Sequence, residues 1–93
     1  MDIKHVAGKN KGKVMLYALS TCGWCKKTKK LFDSLGIEYH YVDVDLVEDA
    51  EKESVRKEVM RWNPRGSFPT IVINDKICIV GYDEQKFNEV IGK

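Results

Sequence analysis

Two cysteines three residues apart, Cys22 and Cys25, stand between a short apolar run and a segment of helical period. The run over residues 14–19, Val-Met-Leu-Tyr-Ala-Leu, is apolar on both faces and is followed by Ser20 and Thr21, as expected of a central buried strand. Trp24, Thr28, Leu31, Phe32 and Leu35 then recur at helical spacing, and Gly36 supplies a left-handed stop. A Cys-x-x-Cys that follows a strand and opens a helix puts Cys22 at the N-cap or first turn, where free N–H groups and the helix dipole stabilise a thiolate. Cys25 lies one turn on along the same face, close enough to attack a mixed disulfide on Cys22 and expel the reduced substrate. Cys22 is therefore the candidate nucleophile and Cys25 the candidate resolving thiol. Lys26, Lys27, Lys29 and Lys30 crowd this helix start; they are expected to form a solvated face, although cations there would also favour a nearby thiolate.

The rest of the chain alternates in the same manner. Residues 37–44 are rich in β-branched and aromatic side chains, which predicts a second strand joined to the first by a parallel βαβ crossover. Glu48 and Asp49 open the next segment and Arg56, Lys57 and Arg61 close it, with Val47, Ala50, Val55, Val59 and Trp62 as its apolar stripe. That polarity suits a helix dipole and predicts a helix of about 14 residues ended by Asn63-Pro64. Residues 70–73 and 76–80 are β-branched runs around Asn74-Asp75, a two-residue turn signal for a hairpin. Asp83 can cap a last helix carrying Phe87, Val90 and Ile91, with Gly92 past its end. Residues 1–12 are polar without a sustained period and are expected to be a flexible arm, leaving 13–93 as the domain. The order β-α-β-α-β-β-α predicts an α/β fold, a four-stranded mixed sheet with three helices, whose ligand end lies beyond the carboxyl end of the first strand. Cys22 falls there.

Composition narrows the chemistry. Ninety-three residues support one core, and 43% apolar with 32% charged residues is a globular balance rather than a disordered one. A net charge of +2 gives no reason to expect nucleic acid or an anionic membrane as partner. The longest apolar run, six residues, falls far short of the roughly 20 of a membrane span, and no signal-peptide core is visible, so a cytoplasmic location is expected. Three cysteines are too few for a disulfide scaffold, which leaves thiol redox chemistry or metal binding. A zinc site wants four ligands, whereas Cys78, His5 and His40 offer no second paired spacing; a zinc or iron-sulfur module is the remoter alternative and no metal ligand is assigned. Cys78, among Ile77, Ile79 and Val80, is expected to be a packed thiol, and both histidines are expected to be structurally ordinary.

From spacing alone, Pro69 in Ser67-Phe68-Pro69-Thr70 is a turn or edge proline with a trans bond. Taken together, Cys22-Gly23-Trp24-Cys25 after a first strand, Pro69 entering the third and Gly81-Tyr82-Asp83 before the last helix resemble a glutaredoxin of the thioredoxin superfamily, from about Lys13 to Ile91. The resemblance implies a dithiol-disulfide oxidoreductase, a monomer without a bound cofactor that acts on protein or small-molecule disulfides. It implies a cis bond before Pro69, a Phe68 backbone that pairs with an extended substrate or glutathione, and Gly81, Tyr82 and Asp83 holding the γ-glutamyl end of glutathione. Thr21 and Trp24, flanking the cysteines, complete the candidate substrate-binding set. Many members carry Pro-Tyr between the cysteines and Lys three residues before the first, where this chain has Gly23-Trp24 and Leu19; Val80-Gly81 stands for the familiar Gly-Gly. Arg65 or Lys26 would then be the available cations. Gly81-Tyr82 followed by a helix containing Phe87 also resembles the glutaredoxin-like redoxins that take electrons from thioredoxin reductase, so the expected reductant is glutathione, as co-substrate, or a thioredoxin-reductase-type or ferredoxin-linked reductase.

Overall fold

Val14, Leu16 and Ala18 of the strand Val14–Ala18 face one core, and Tyr17 faces another. Alternate side chains of a strand point to opposite sides of its sheet, so this strand needs a helical layer on each face. The computed structural model, which describes residues 3–91, supplies both layers. In chain order the elements are β1 (Lys4–Val6), β2 (Val14–Ala18), α1 (Gly23–Leu35), β3 (Tyr39–Asp43), a single 3-10 turn (Val44–Leu46), α2 (Asp49–Trp62), β4 (Thr70–Ile73), β5 (Ile77–Val80) and α3 (Glu84–Ile91). The sheet order is β1-β3-β2-β4-β5; β2 and β3 are parallel and the other pairs antiparallel. Cys25 and Phe32 of α1 share a core cluster with Phe87 and Ile91 of α3, while Val55 and Val59 of α2 pack with Tyr17, Val42 and Val72 on the opposite face. This is a thioredoxin-like α/β fold.

Among the described residues the sheet has five strands, not four. The additional one, β1, lies in the segment expected to be a flexible arm; it pairs with β3 from Lys4↔Tyr41 to Val6↔Tyr39. Its three residues are too few and too polar to show a period, but they occupy the outer edge of β3, where charged side chains protect an edge from further pairing. Past β1, Lys9 N–H donates to the Gly36 carbonyl and Glu38 N–H to the Lys9 carbonyl, both at 2.8 Å. Gly8 permits this close approach: a Cβ there would lie 2.5 Å from the Ile37 carbonyl carbon. His5 and His40, directly opposite each other, stack at 4.6 Å, and His5 Nε2 meets Glu38 Oε2 at 2.6 Å.

Other differences are local. The hairpin pairs Ile73 with Ile77, so three residues form its loop and Lys76 belongs to the turn. Asn74 and Asp75 adopt φ of 55° and 54°, a left-handed conformation that Asn and Asp tolerate. The inner stripe of α1 is Cys25, Thr28 and Phe32; Trp24 and Leu35 are 58% and 37% exposed. Ala50, expected in the stripe of α2, is exposed, because the register set by Val55 and Val59 turns it outward. Gly36 ends α1 with φ 66°, and Asp83 caps α3 as expected, its Oδ1 accepting from Lys86 N–H at 3.0 Å; Gly92 lies outside the described residues.

Phe32 joins the layers on the α1 side: it is fully buried, stacked on Phe87 at 4.5 Å and edge-on to Tyr39 at 4.9 Å. Truncation leaves a cavity whose walls can only partly collapse, so Phe32→Ala is expected to lower unfolding free energy by about 3–5 kcal/mol in urea titration. A loss below about 1 kcal/mol would show that this contact does not anchor the helices.

Candidate active site

The loop from β2 to α1 is fixed before it reaches the cysteines. Ser20 N–H and Oγ donate to the two carboxylate oxygens of Asp45, in the 3-10 turn after β3, and these hydrogen bonds hold the Asp45 carboxyl below its usual range. Cys22 N–H donates to the Leu19 carbonyl at 3.1 Å. Cys22 is the N-cap of α1 with extended backbone (φ −85°, ψ 117°), and its Sγ accepts the Cys25 N–H at 3.1 Å. An oriented amide and a helix N-terminus both favour negative charge on that sulfur. Cys22 is half-buried, whereas Cys25 is wholly buried. The Cys25 thiol is pushed up to about 12, chiefly by burial and then by the hydrogen bond with Cys22; the Leu19 backbone pulls it back, the Cys22 charge adds a smaller upward push and Lys29 a smaller downward one.

The facing wall comes from the segment between α2 and β4. Asn63, 2% exposed, ends α2 and donates from Nδ2 to the Ser67 carbonyl, Ser67 Oγ and Thr70 Oγ1 at 3.0–3.1 Å; its Oδ1 accepts from Arg65 N–H. Thr70 Oγ1 in turn donates to the Ser67 carbonyl at 2.7 Å. These bonds bracket Phe68-Pro69, whose peptide bond is cis, as the resemblance implied and spacing alone did not. The Pro69 carbonyl accepts Gly81 N–H at 2.8 Å, and Gly81 has φ 82°, a conformation that favours glycine.

Trp24, Phe68, Pro69, Gly81 and Tyr82 line one open groove of about 240 Å³. The Trp24 and Tyr82 rings lie 5.7 Å apart, with Lys27 Nζ at 5.1 and 5.6 Å from their centroids. Five of the seven candidate substrate-binding residues thus come together. Thr21, exposed in the turn before Cys22, is not among the lining residues, and the Asp83 side chain is engaged in capping α3. Cys78 is half-buried on β5 opposite Val72, where burial raises its thiol. Among the described residues no group of three or more His, Cys, Asp or Glu is placed to hold a metal ion, and no helix is long and apolar enough to cross a membrane.

The sequence pattern gives Asp45 no role, Asn63 only that of ending α2, and Lys27 and Lys29 only a place among the helix-start lysines, whereas Lys29 and Asp43 form a half-buried ion pair at 3.1 Å. Asn63 carried one usable signal, its place directly before Pro64. The others depend on contacts between segments far apart in sequence.

Residues 14–78 match the family model for glutaredoxin. The chain is a member of the glutaredoxin family. A crystal structure of Methanosarcina acetivorans methanoredoxin is 50% identical, with a TM-score of 0.88 over 92% of this chain and 90% of the other. A Methanosarcina mazei glutaredoxin is also 50% identical, with a TM-score of 0.90 over 98% and 88%. A buckwheat glutaredoxin–glutathione complex is 27% identical, with a TM-score of 0.68 over 90% and 74%. Membership in this family identifies a thiol redox protein, and the groove beside the motif is where this glutaredoxin differs from a bare Cys-x-x-Cys helix.

Because the buried Asn63 amide bonds Ser67 before Phe68-Pro69 and the buried Thr70 hydroxyl after it, Asn63→Ala is expected to lower stability by about 1–3 kcal/mol. It should also slow disulfide exchange with Cys22 alkylation unchanged. Unaltered exchange in the folded variant would show that this network does not shape the groove.

Proposed function

We propose that this glutaredoxin reduces protein or small-molecule disulfides through a mixed disulfide on Cys22, without a bound cofactor. The observation that carries the proposal is the division of environment within one helical turn. The Cys22 sulfur is reachable and accepts an amide at the start of α1, and the Cys25 sulfur is sealed beneath it. The Cys22 thiolate attacks one sulfur of the substrate disulfide, forming Cys22–S–S–R and releasing the other half as thiolate. Cys25 then loses its proton and attacks Cys22 Sγ, giving the Cys22–Cys25 disulfide and the second substrate thiol.

Two of the influences that keep Cys25 protonated, the hydrogen bond and the charge of Cys22, belong to the reduced protein. Both are lost when the Cys22 sulfur is tied to substrate, so the resolving thiol becomes easier to ionise only after the first step. This ordering limits futile loss of the second thiol. Cys25→Ser is expected to accumulate the mixed disulfide, detectable by mass, and Cys22→Ser to abolish exchange. Full exchange in Cys22→Ser would reverse the assignment.

We also propose that a disulfide reductase resets the dithiol better than glutathione does. Glutathione presents two carboxylates, each best matched by a cation or by oriented N–H donors. Leu19 supplies no charge at the end where many family members carry Lys, and Asp83 is committed to its helix. One missing charge-assisted contact is worth about 1.5–3 kcal/mol, or about tenfold to a hundredfold in affinity. Leu19→Lys is therefore expected to raise the glutathione-coupled rate by about tenfold or more, with little change when a thioredoxin-reductase-type or ferredoxin-linked enzyme is the donor. Efficient wild-type turnover with millimolar glutathione, unaffected by that substitution, would assign glutathione as the ordinary reductant.

A further inference from the structure

We infer that Lys29 is a positioning residue for the resolving step, its ammonium held behind the dithiol by Asp43 and Tyr41 so that it stabilises the negative charge Cys25 acquires. The inference rests on the proposed roles of Cys22 and Cys25. Lys29 follows Cys25 by four residues on α1, which places their Cβ atoms about 5–6 Å apart on one helix face. Among the helix-start lysines, Lys26, Lys27 and Lys30 are exposed. Lys29 alone of the four is half-buried, with 23% of its side chain exposed, and its Nζ lies 3.1 Å from Asp43 Oδ1, itself 18% exposed. The same Nζ sits 4.1 Å from the Tyr41 ring centroid.

A flexible lysine in water would add little to the chemistry of a neighbouring thiol. A carboxylate on one side and an aromatic face on another confine this ammonium, and reduced exposure to water lets its field reach further. Asp43 ends β3 opposite Ala18, the last residue of the strand that delivers Cys22, so the holder of Lys29 and the active-site loop share the carboxyl end of the parallel β2/β3 pair. The charged groups that act on Cys25 are Cys22, the N-cap of α1, and Lys29 on the same helix; Asp43 on β3 reaches it only through Lys29, Tyr39 of β3 shares its core cluster with Tyr41 packed against it, and Asp45 binds Ser20 in the preceding loop. From β4 and α3 the same core cluster receives Ile71 and Phe87, which carry no charge.

The step itself is balanced by the two sulfurs and the substrate. The Cys25 S–H bond breaks, its proton passes to solvent or the departing substrate thiolate, the Cys25–Cys22 bond forms and the Cys22–substrate bond breaks. Lys29 neither gives nor receives that proton; it lowers the energy of the thiolate through which the step passes.

The test isolates resolution from capture. Wild-type protein is mixed rapidly with a disulfide-linked chromogenic peptide, and formation and decay of the Cys22 adduct are followed from pH 6 to 10. Lys29→Met is expected to raise the pH midpoint of decay by about one unit, equivalent to about tenfold slower resolution at neutral pH, while adduct formation stays within about twofold. Lys29→Arg keeps a cation and should remain close to wild type. Because Lys29→Met leaves Asp43 without its partner, Lys29→Met/Asp43→Asn provides a second variant with no stranded charge, and its midpoint should move in the same direction. An unchanged midpoint in either folded variant, with resolution and capture slowed alike or not at all, would make the ion pair purely structural and overturn the inference. Failure of the underlying assignment would look different: no adduct would accumulate in Cys25→Ser with Lys29 intact.

Discussion

The hydrogen bond from Cys25 N–H to Cys22 Sγ joins the fold to the chemistry. A helix start leaves N–H groups without partners, and a serine, threonine or aspartate commonly accepts one of them. Here a sulfur takes that place, so the atom that closes the first turn of α1 is also the atom that the proposed mechanism offers to substrate. The arrangement requires β2 to stop at Ala18 and the loop to hold Cys22 in extended conformation. Asp45 meets this requirement by binding both donors of Ser20 across the parallel β2/β3 pair.

The second wall of the groove depends on a different kind of restraint. Segment 63–69 has no strand or helix of its own, and beyond a turn bond from Gly66 N–H to the Asn63 carbonyl its backbone groups draw partners from side chains and from neighbouring segments. A single buried amide, Asn63, serves two of them, the Ser67 carbonyl and the Arg65 N–H, and the Thr70 hydroxyl adds a second donor to the Ser67 carbonyl where β4 begins. The Pro69 carbonyl then binds Gly81 N–H, which carries the restraint across β4 and β5 to Tyr82. Trp24 can remain exposed on the other side because Tyr82 and Lys27 limit its freedom from without, as core packing would from within.

How far the sequence revealed this architecture depended on how local each cause was. The two-faced apolar run became β2, the charge polarity of 48–61 became the fourteen-residue α2, and Gly36 stopped α1 where a left-handed residue was needed. Cys22 and Cys25 were legible because their spacing and the flanking elements carry the chemistry together. β1 was not, since three polar residues have no period and their role depends on the free edge of β3, far along the chain. Asn63 looked like a helix terminator and nothing more, because its three acceptors lie beyond a proline. Lys29 was one lysine of four until Asp43 and Tyr41, brought alongside by the crossover, set it apart.

The two long helices show what the site demands of stability. α2 has Asp49 and Glu51 in its first turn and Arg61 in its last, the distribution that a helix dipole favours. α1 has no acidic residue in its first turn and no basic residue in its last, and Lys26 and Lys27 follow directly on Cys25. Its charge pattern therefore opposes its own dipole at the N-terminus. An acidic first turn would relieve that opposition, but it would set negative charge beside the sulfur that the proposed mechanism makes a thiolate. The helix is instead secured by the Gly36 cap and by Phe32 packed against Phe87 and Tyr39, interactions about three to four turns away that add no negative charge beside Cys22.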